Sequence, residues 1–290
     1  VSTGISTQGP SGALLLSTGA ASSGHGGDIK VRVGQSDSGS GGQILMDAGQ
    51  TDDSFGGLIQ MTTGRSIATS SGSFVLQTAN AGNFGVSGTV SILTGTSTAG
   101  NTGSLYIRSG TASSGRGGAV YVSAGSGNSG AGGEVVFSGG TSSVASGGRI
   151  TLMSGYGALT TSGELVLATS NAGLAGSSGF IVLSTGTSSF GNSGAIFIGA
   201  GSGFSGRGGS VYVSAGFGNS GTGGETTITA GEALQFTGGK LTIASGAGVR
   251  SSTGALVLQT PNAGIFGNVG GTSGFVVMSS GTSSLGNSGA

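Results

Sequence analysis

The sequence predicts an all-β fold, a parallel β-solenoid with about fifteen residues per coil and its strands stacked in register. Three observations predict it: a glycine that recurs every fifteen residues, an alternation of apolar residues after that glycine, and opposite charges at equivalent positions one unit apart. Taking the glycine before each apolar run gives Gly12, Gly27, Gly42, Gly57 and Gly72, and the series runs on to Gly274 and Gly289. Nearly every step is fifteen; Gly72 to Gly88 and Gly163 to Gly179 are sixteen, and Gly254 to Gly274 is twenty.

Positions are counted from that glycine. The fourth is apolar in every complete unit, as at Leu16, Val31, Met46 and Met61, and the second is apolar in all but one, Thr226. Period-two alternation over five to seven β-prone residues, closed by Ser123-Ala124-Gly125 or Ser184-Thr185-Gly186, predicts one strand per unit with one buried face. The other residues of a unit, such as Thr187-Ser188-Ser189-Phe190-Gly191-Asn192-Ser193-Gly194, have the glycines and small side chains of tight corners, and read as turns plus a short, flat second strand.

The charges suggest how units stack. Glu134 and Arg149 hold the first position of consecutive units, Glu225 and Lys240 do the same, and Arg32 and Asp47 share the fifth. In a parallel, in-register stack these partners lie about 4.8 Å apart and attract. A thirty-residue coil is the alternative, and it sets Glu134 beside Glu164 at a cost in free energy. Exposed pairs contribute about 0–1 kcal/mol each, so they report register, while burial of the second and fourth positions is expected to stabilise the stack.

Residues 1–290 read as one continuous array of about eighteen rungs, on the order of 90 Å long at a strand spacing of about 4.8 Å. A longer period lies over the short one: Gly72, Gly163 and Gly254 are 91 residues apart and open Phe74-Val75-Leu76, Leu165-Val166-Leu167 and Leu256-Val257-Leu258. The same units carry the irregular lengths, the longest near Asn268 to Ser273, as expected of insertions at a loop. Gly289-Ala290 opens a further rung and no polar cap begins the chain, so the array is expected to be an excerpt of a longer one or a subunit that stacks end to end.

Composition narrows the function classes. There are 69 glycines in 290 residues, against roughly 7% in average proteins, and such a chain stays disordered unless a strict period organises it. Only 6% of residues are charged and the formal net charge is zero, which favours association and argues against a nucleic-acid partner. With no cysteine there are no disulfides or thiolate metal sites, and no apolar run approaches the roughly eighteen residues of a membrane span. No cofactor is expected. One histidine and sparse carboxylates argue against an enzyme on a β-helix scaffold.

The third position points away from the predicted core yet holds large apolar residues. Leu15, Tyr106 and Phe197 fall in one rung class, Tyr121 and Tyr212 in the next, and Val75, Val166 and Val257 in another. Outward apolar ladders of this kind mark contact with another chain, so these are the assembly-interface candidates; a second layer of the same chain or a wider coil is the alternative. Arg32, Asp47, Glu134, Arg149, Glu164, Glu225 and Lys240 are the charges that bear on register.

Other features read as structural. His25 aligns at 91-residue spacing with Arg116 and Arg207, a place for a cation or donor and not for a metal ligand. Asp37, Asp47, Asp52 and Asp53 lack the spacing of calcium-binding β-rolls and do not recur. Gly115-Arg116-Gly117-Gly118 matches no phosphate loop. Thr227-Ile228-Thr229 is isolated, unlike the threonine arrays of ice-binding solenoids, and no Asn-x-Ser/Thr acceptor occurs.

The unit Gly-x-Φ-x-Φ-x-Ser/Thr-Gly, with Φ apolar and a Ser/Gly-rich turn after it, resembles the Gly/Ser/Thr-rich β-solenoid repeats of microbial and algal surface fibres and adhesins. The resemblance covers the whole chain and implies an extracellular or cell-surface structural role. It carries over no catalytic residue. The expected function is a structural subunit of an extracellular filament, hair or sheath, with copies of itself as partners through open β-edges and apolar ladders; other fibre proteins and glycans are further partners considered. The alternative is an adhesin stalk or ice-binding rod acting as an isolated solenoid.

Overall fold

The computed structural model describes residues 2–266 and 269–283. Contacts divide the chain into two units, Val1–Ile150 and Thr151–Ala290. Each is built from the same element: a run free of bends, then a loop turning through a three-residue bend. In the first unit the bends fall at 7–9, 22–24, 37–39 and 52–54, and in the second at 189–191, 204–206, 219–221 and 234–236. Their spacing is that of the glycine period.

A single backbone hydrogen bond closes half of the loops. In the first unit the Gly57 N–H donates to the Gly49 carbonyl at 2.8 Å, Gly133 to Gly125 at 2.9 Å and Gly148 to Gly140 at 2.8 Å. In the second, Gly163, Gly209, Gly224, Gly239 and Gly254 each donate to the carbonyl eight residues earlier, at 2.8–3.0 Å. Glycine is required where the two arms meet: a Cβ on Gly148 would lie 2.8 Å from the Gly140 nitrogen, and one on Gly57 would lie 2.9 Å from the Gly49 nitrogen. Among the described residues only Gly39 and Gly176 have a positive φ. Close approach is what the closing glycines supply.

Two kinds of contact close the loops, backbone to backbone and hydroxyl to backbone. The backbone bond forms after Ala48, Ala124, Ala200, Ala215, Ala230 and Gly139, which have no hydroxyl, but not after Val33. Thr18, Ser109 and Thr185 instead donate their hydroxyls to the carbonyls of Gly27, Gly118 and Gly194, at 3.0, 2.7 and 3.1 Å. Thr63, Ser154 and Ser245 have hydroxyls and keep the backbone bond. Neither bond closes the loops ending at Gly42, Gly88 and Gly103. Extra residues bulge without displacing the closure: Thr169 reaches the Gly179 carbonyl at 3.3 Å and Thr260 reaches that of Gly274 at 3.1 Å.

The parallel β-solenoid expected from the sequence is not formed. Among the described residues there is no helix, and the strands are β1 (Ile265–Phe266) and β2 (Val269–Gly270), an antiparallel pair in the Gly254–Gly274 insertion. A fifteen-residue coil needs ladders between residues fifteen apart, whereas the backbone bonds here link residues three to eight apart within one unit. The short closure has the lower loop entropy cost. One bond per mouth is not a ladder, and none continues along the arms. The predicted second strand is likewise absent among the described residues, and Asn268 and Gly289-Ala290 lie outside them.

The predicted core is absent too, for no described residue is buried. The chain exposes 29204 Å², against about 11,000 Å² for a folded protein and about 39,000 Å² for an unfolded chain of 27.0 kDa. Each unit brings two inward apolar side chains against a majority of glycine, serine and threonine whose ordering costs conformational entropy. The alternation survives as a bias: Val120 is 52% exposed, Tyr121 92% and Val122 65%.

Amide exchange followed by NMR should therefore find the Gly148 N–H protected several-fold over the amides of Val135–Phe137. Gly148→Ala, which drives a Cβ into the Gly140 backbone, should abolish that protection. Gly140→Ala, where an added Cβ meets nothing within 4 Å, should preserve it. In the same experiment Thr185→Ala should transfer closure to the backbone and protect the Gly194 N–H.

Candidate functional site

Bend-free backbone throws alternate side chains to opposite faces, and three local contacts show which residues share one. Lys30 Nζ lies 2.6 Å from Asp28 Oδ2, Thr227 Oγ1 donates to Glu225 Oε1 at 2.9 Å, and Gln60 Nε2 donates to Thr62 Oγ1 at 3.5 Å. Each joins residues two apart at the odd positions of a unit. First, third and fifth positions therefore form one face, and second and fourth the other.

That odd face carries the predicted interface residues. Phe197 is 93% exposed, Tyr121 and Tyr212 are 92% and 90%, and Leu15, Tyr106, Val75, Val166 and Val257 are all largely exposed. The structure brings none of them together into a buried cluster within the chain. Flanking them on the same face are Arg32, Asp47, Glu134, Arg149, Glu164, Glu225 and Lys240, all exposed.

The opposite-charge pairs of the expected stack do not meet. Among the described residues the ion pair is Lys30–Asp28, within one segment, and Arg32–Asp47, Glu134–Arg149 and Glu225–Lys240 form none. Their attraction required units stacked about 4.8 Å apart, and that stacking is absent. His25, Arg116 and Arg207 are exposed on loops. Among the described residues no group of three or more histidine, aspartate or glutamate side chains could hold a metal ion. No described helix is long and apolar enough to cross a membrane.

A second set of exposed apolar residues lies on the loops. Phe84, Leu174, Phe190, Phe204 and Leu234 are fully exposed, at or beside the bends. Sequence reading treats these stretches as small-residue corners. The signal that finds them is a lone large apolar residue inside some of the glycine-rich turns, as at Phe190, Phe204 and Leu234.

The apolar content of the chain is thus exposed on both faces of the segments and on the loop tips. No family model, characterised protein or solved structure matches this chain. The resemblance to surface-fibre repeats accordingly rests on the repeat unit itself.

The chain contains four tyrosines and no tryptophan, so its fluorescence reports on Tyr106, Tyr121, Tyr156 and Tyr212 alone. All four should be quenched by acrylamide almost as efficiently as free tyrosine in dilute solution. Marked shielding of any of them under those conditions would contradict their exposure.

Proposed function

We propose that this protein is a structural subunit that associates with copies of itself into an extracellular or cell-surface fibre. The observation that carries the reading is the exposure of the odd-position apolar residues, with no buried core among the described residues. Large apolar residues exposed in such number are normally covered by another chain.

The backbone supports the same reading. Between loops, as over Leu58–Thr63 or Glu134–Ser138, the peptide groups make no backbone hydrogen bond within the chain. Such groups pair with water or with a neighbouring chain, and an extended edge of β-prone residues is a template for the second. Zero net charge removes the repulsion that would keep copies apart. The repeat unit's resemblance to surface fibres carries the location. No cofactor and no catalytic residue enters this function.

Electron microscopy and sedimentation of the full chain across a concentration series test it. Assemblies should appear above a critical concentration, with tyrosine quenching falling in parallel. The double variant Tyr121→Ser, Tyr212→Ser should raise that concentration by about tenfold, since each ring loses on the order of 1 kcal/mol of burial. A monomer at every concentration would overturn the reading and leave the isolated rod of an adhesin or ice-binding protein in its place.

A further inference from the structure

We infer that copies of this chain pair in parallel through their odd faces, displaced from each other by one fifteen-residue unit. This rests on the self-association proposed above and adds its register. The observations are the face defined by the Asp28–Lys30, Gln60–Thr62 and Glu225–Thr227 contacts, and the charges on that face that have no ionic partner within the chain.

The charge pattern selects the displacement. With one copy shifted by one unit, Glu134 meets Arg149 of the second copy, Glu225 meets Lys240, and Arg32 meets Asp47, so every fully charged pair on the odd face is of opposite sign, while on the loops Asp37 meets Asp52. With no displacement each charge meets itself. A shift of two units sets Glu134 against Glu164. A shift of 91 residues, which matches the longer sequence repeat best, sets Glu134 against Glu225 and Arg149 against Lys240. Like charges directly opposite on neighbouring extended segments are unfavourable, and opposite charges attract.

Direction follows from the same face. Parallel copies keep first positions opposite first positions, where Glu134, Arg149, Glu225 and Lys240 stand. Antiparallel copies would set first against fifth positions, and from Met153 through Gln259 every fifth position is uncharged. In the parallel, one-unit arrangement Tyr106 meets Tyr121 of the second copy, placing aromatic against aromatic between the charged positions. The displacement is head-to-tail and does not close on itself, so each copy leaves an unfilled unit that recruits the next, which is the geometry of a filament.

The absence of cysteine makes the register directly readable. Full-length Val136→Cys and Thr151→Cys chains, both third positions beside the charged residues, are mixed at assembling concentration and oxidised mildly. Thr227→Cys and Thr242→Cys chains form a second mixture. The expected result is a several-fold excess of the 136–151 and 227–242 disulfides over the homodisulfides in the two mixtures, falling to the statistical ratio near 1 M salt, where charges more than about 3 Å apart are screened. Excess homodisulfide, a statistical mixture at low salt, enrichment in only one mixture, or a preference that survives high salt overturns the register while leaving self-association standing. Monomeric sedimentation with no intermolecular disulfide overturns both.

Discussion

A hydrogen bond between two glycines sets the rest of this structure. Where Gly148 donates to Gly140, or Gly57 to Gly49, the chain closes a nine-residue loop within its own unit. The approach is so close that a Cβ on the donor glycine would collide with backbone. That local closure uses one N–H and one C=O at the mouth of the loop. The bend-free segments between loops are left with unpaired peptide groups and both faces in solvent.

Exposure follows from this constraint. A repeat unit with two inward apolar side chains can bury them only against a neighbouring unit, as in other repeat architectures. When the units do not stack, the alternation persists as a difference in exposure, about half for Val120 and nearly complete for Tyr121. The apolar surface is then available to a second chain, and the fibre reading takes its force from there. On the odd face Arg32, Asp47, Glu134, Arg149 and Lys240 form no ion pair among the described residues, and so keep the information that can set register between copies.

Variation in the repeat is tolerated because the closure has two interchangeable chemistries. Alanine or glycine before the loop lets backbone meet backbone, while Thr18, Ser109 and Thr185 bridge the same gap with a hydroxyl. The long Gly254–Gly274 unit keeps its mouth through Thr260 and places its added residues, including β1 and β2, inside the loop. Insertions at loops cost little because closure entropy rises only slowly with length.

Much of the local structure could be read from residue order alone. The glycine period reappears as the spacing of the bends, the sixteen-residue steps recur as shifts in that spacing, and the alternation of Val120, Tyr121 and Val122 tells which side chains share a face. These are short-range properties, decided by sterics within a few residues. Which partner each segment takes was not legible, because stacking on the next unit and remaining open make the same demand on sequence pattern. Opposite charges fifteen residues apart, as at Glu134 and Arg149, fit a stacked coil and a displaced pair of chains equally well. The tertiary structure decided between them within the chain: local glycine closures, favoured by their short loops, left the units unstacked and the charges apart.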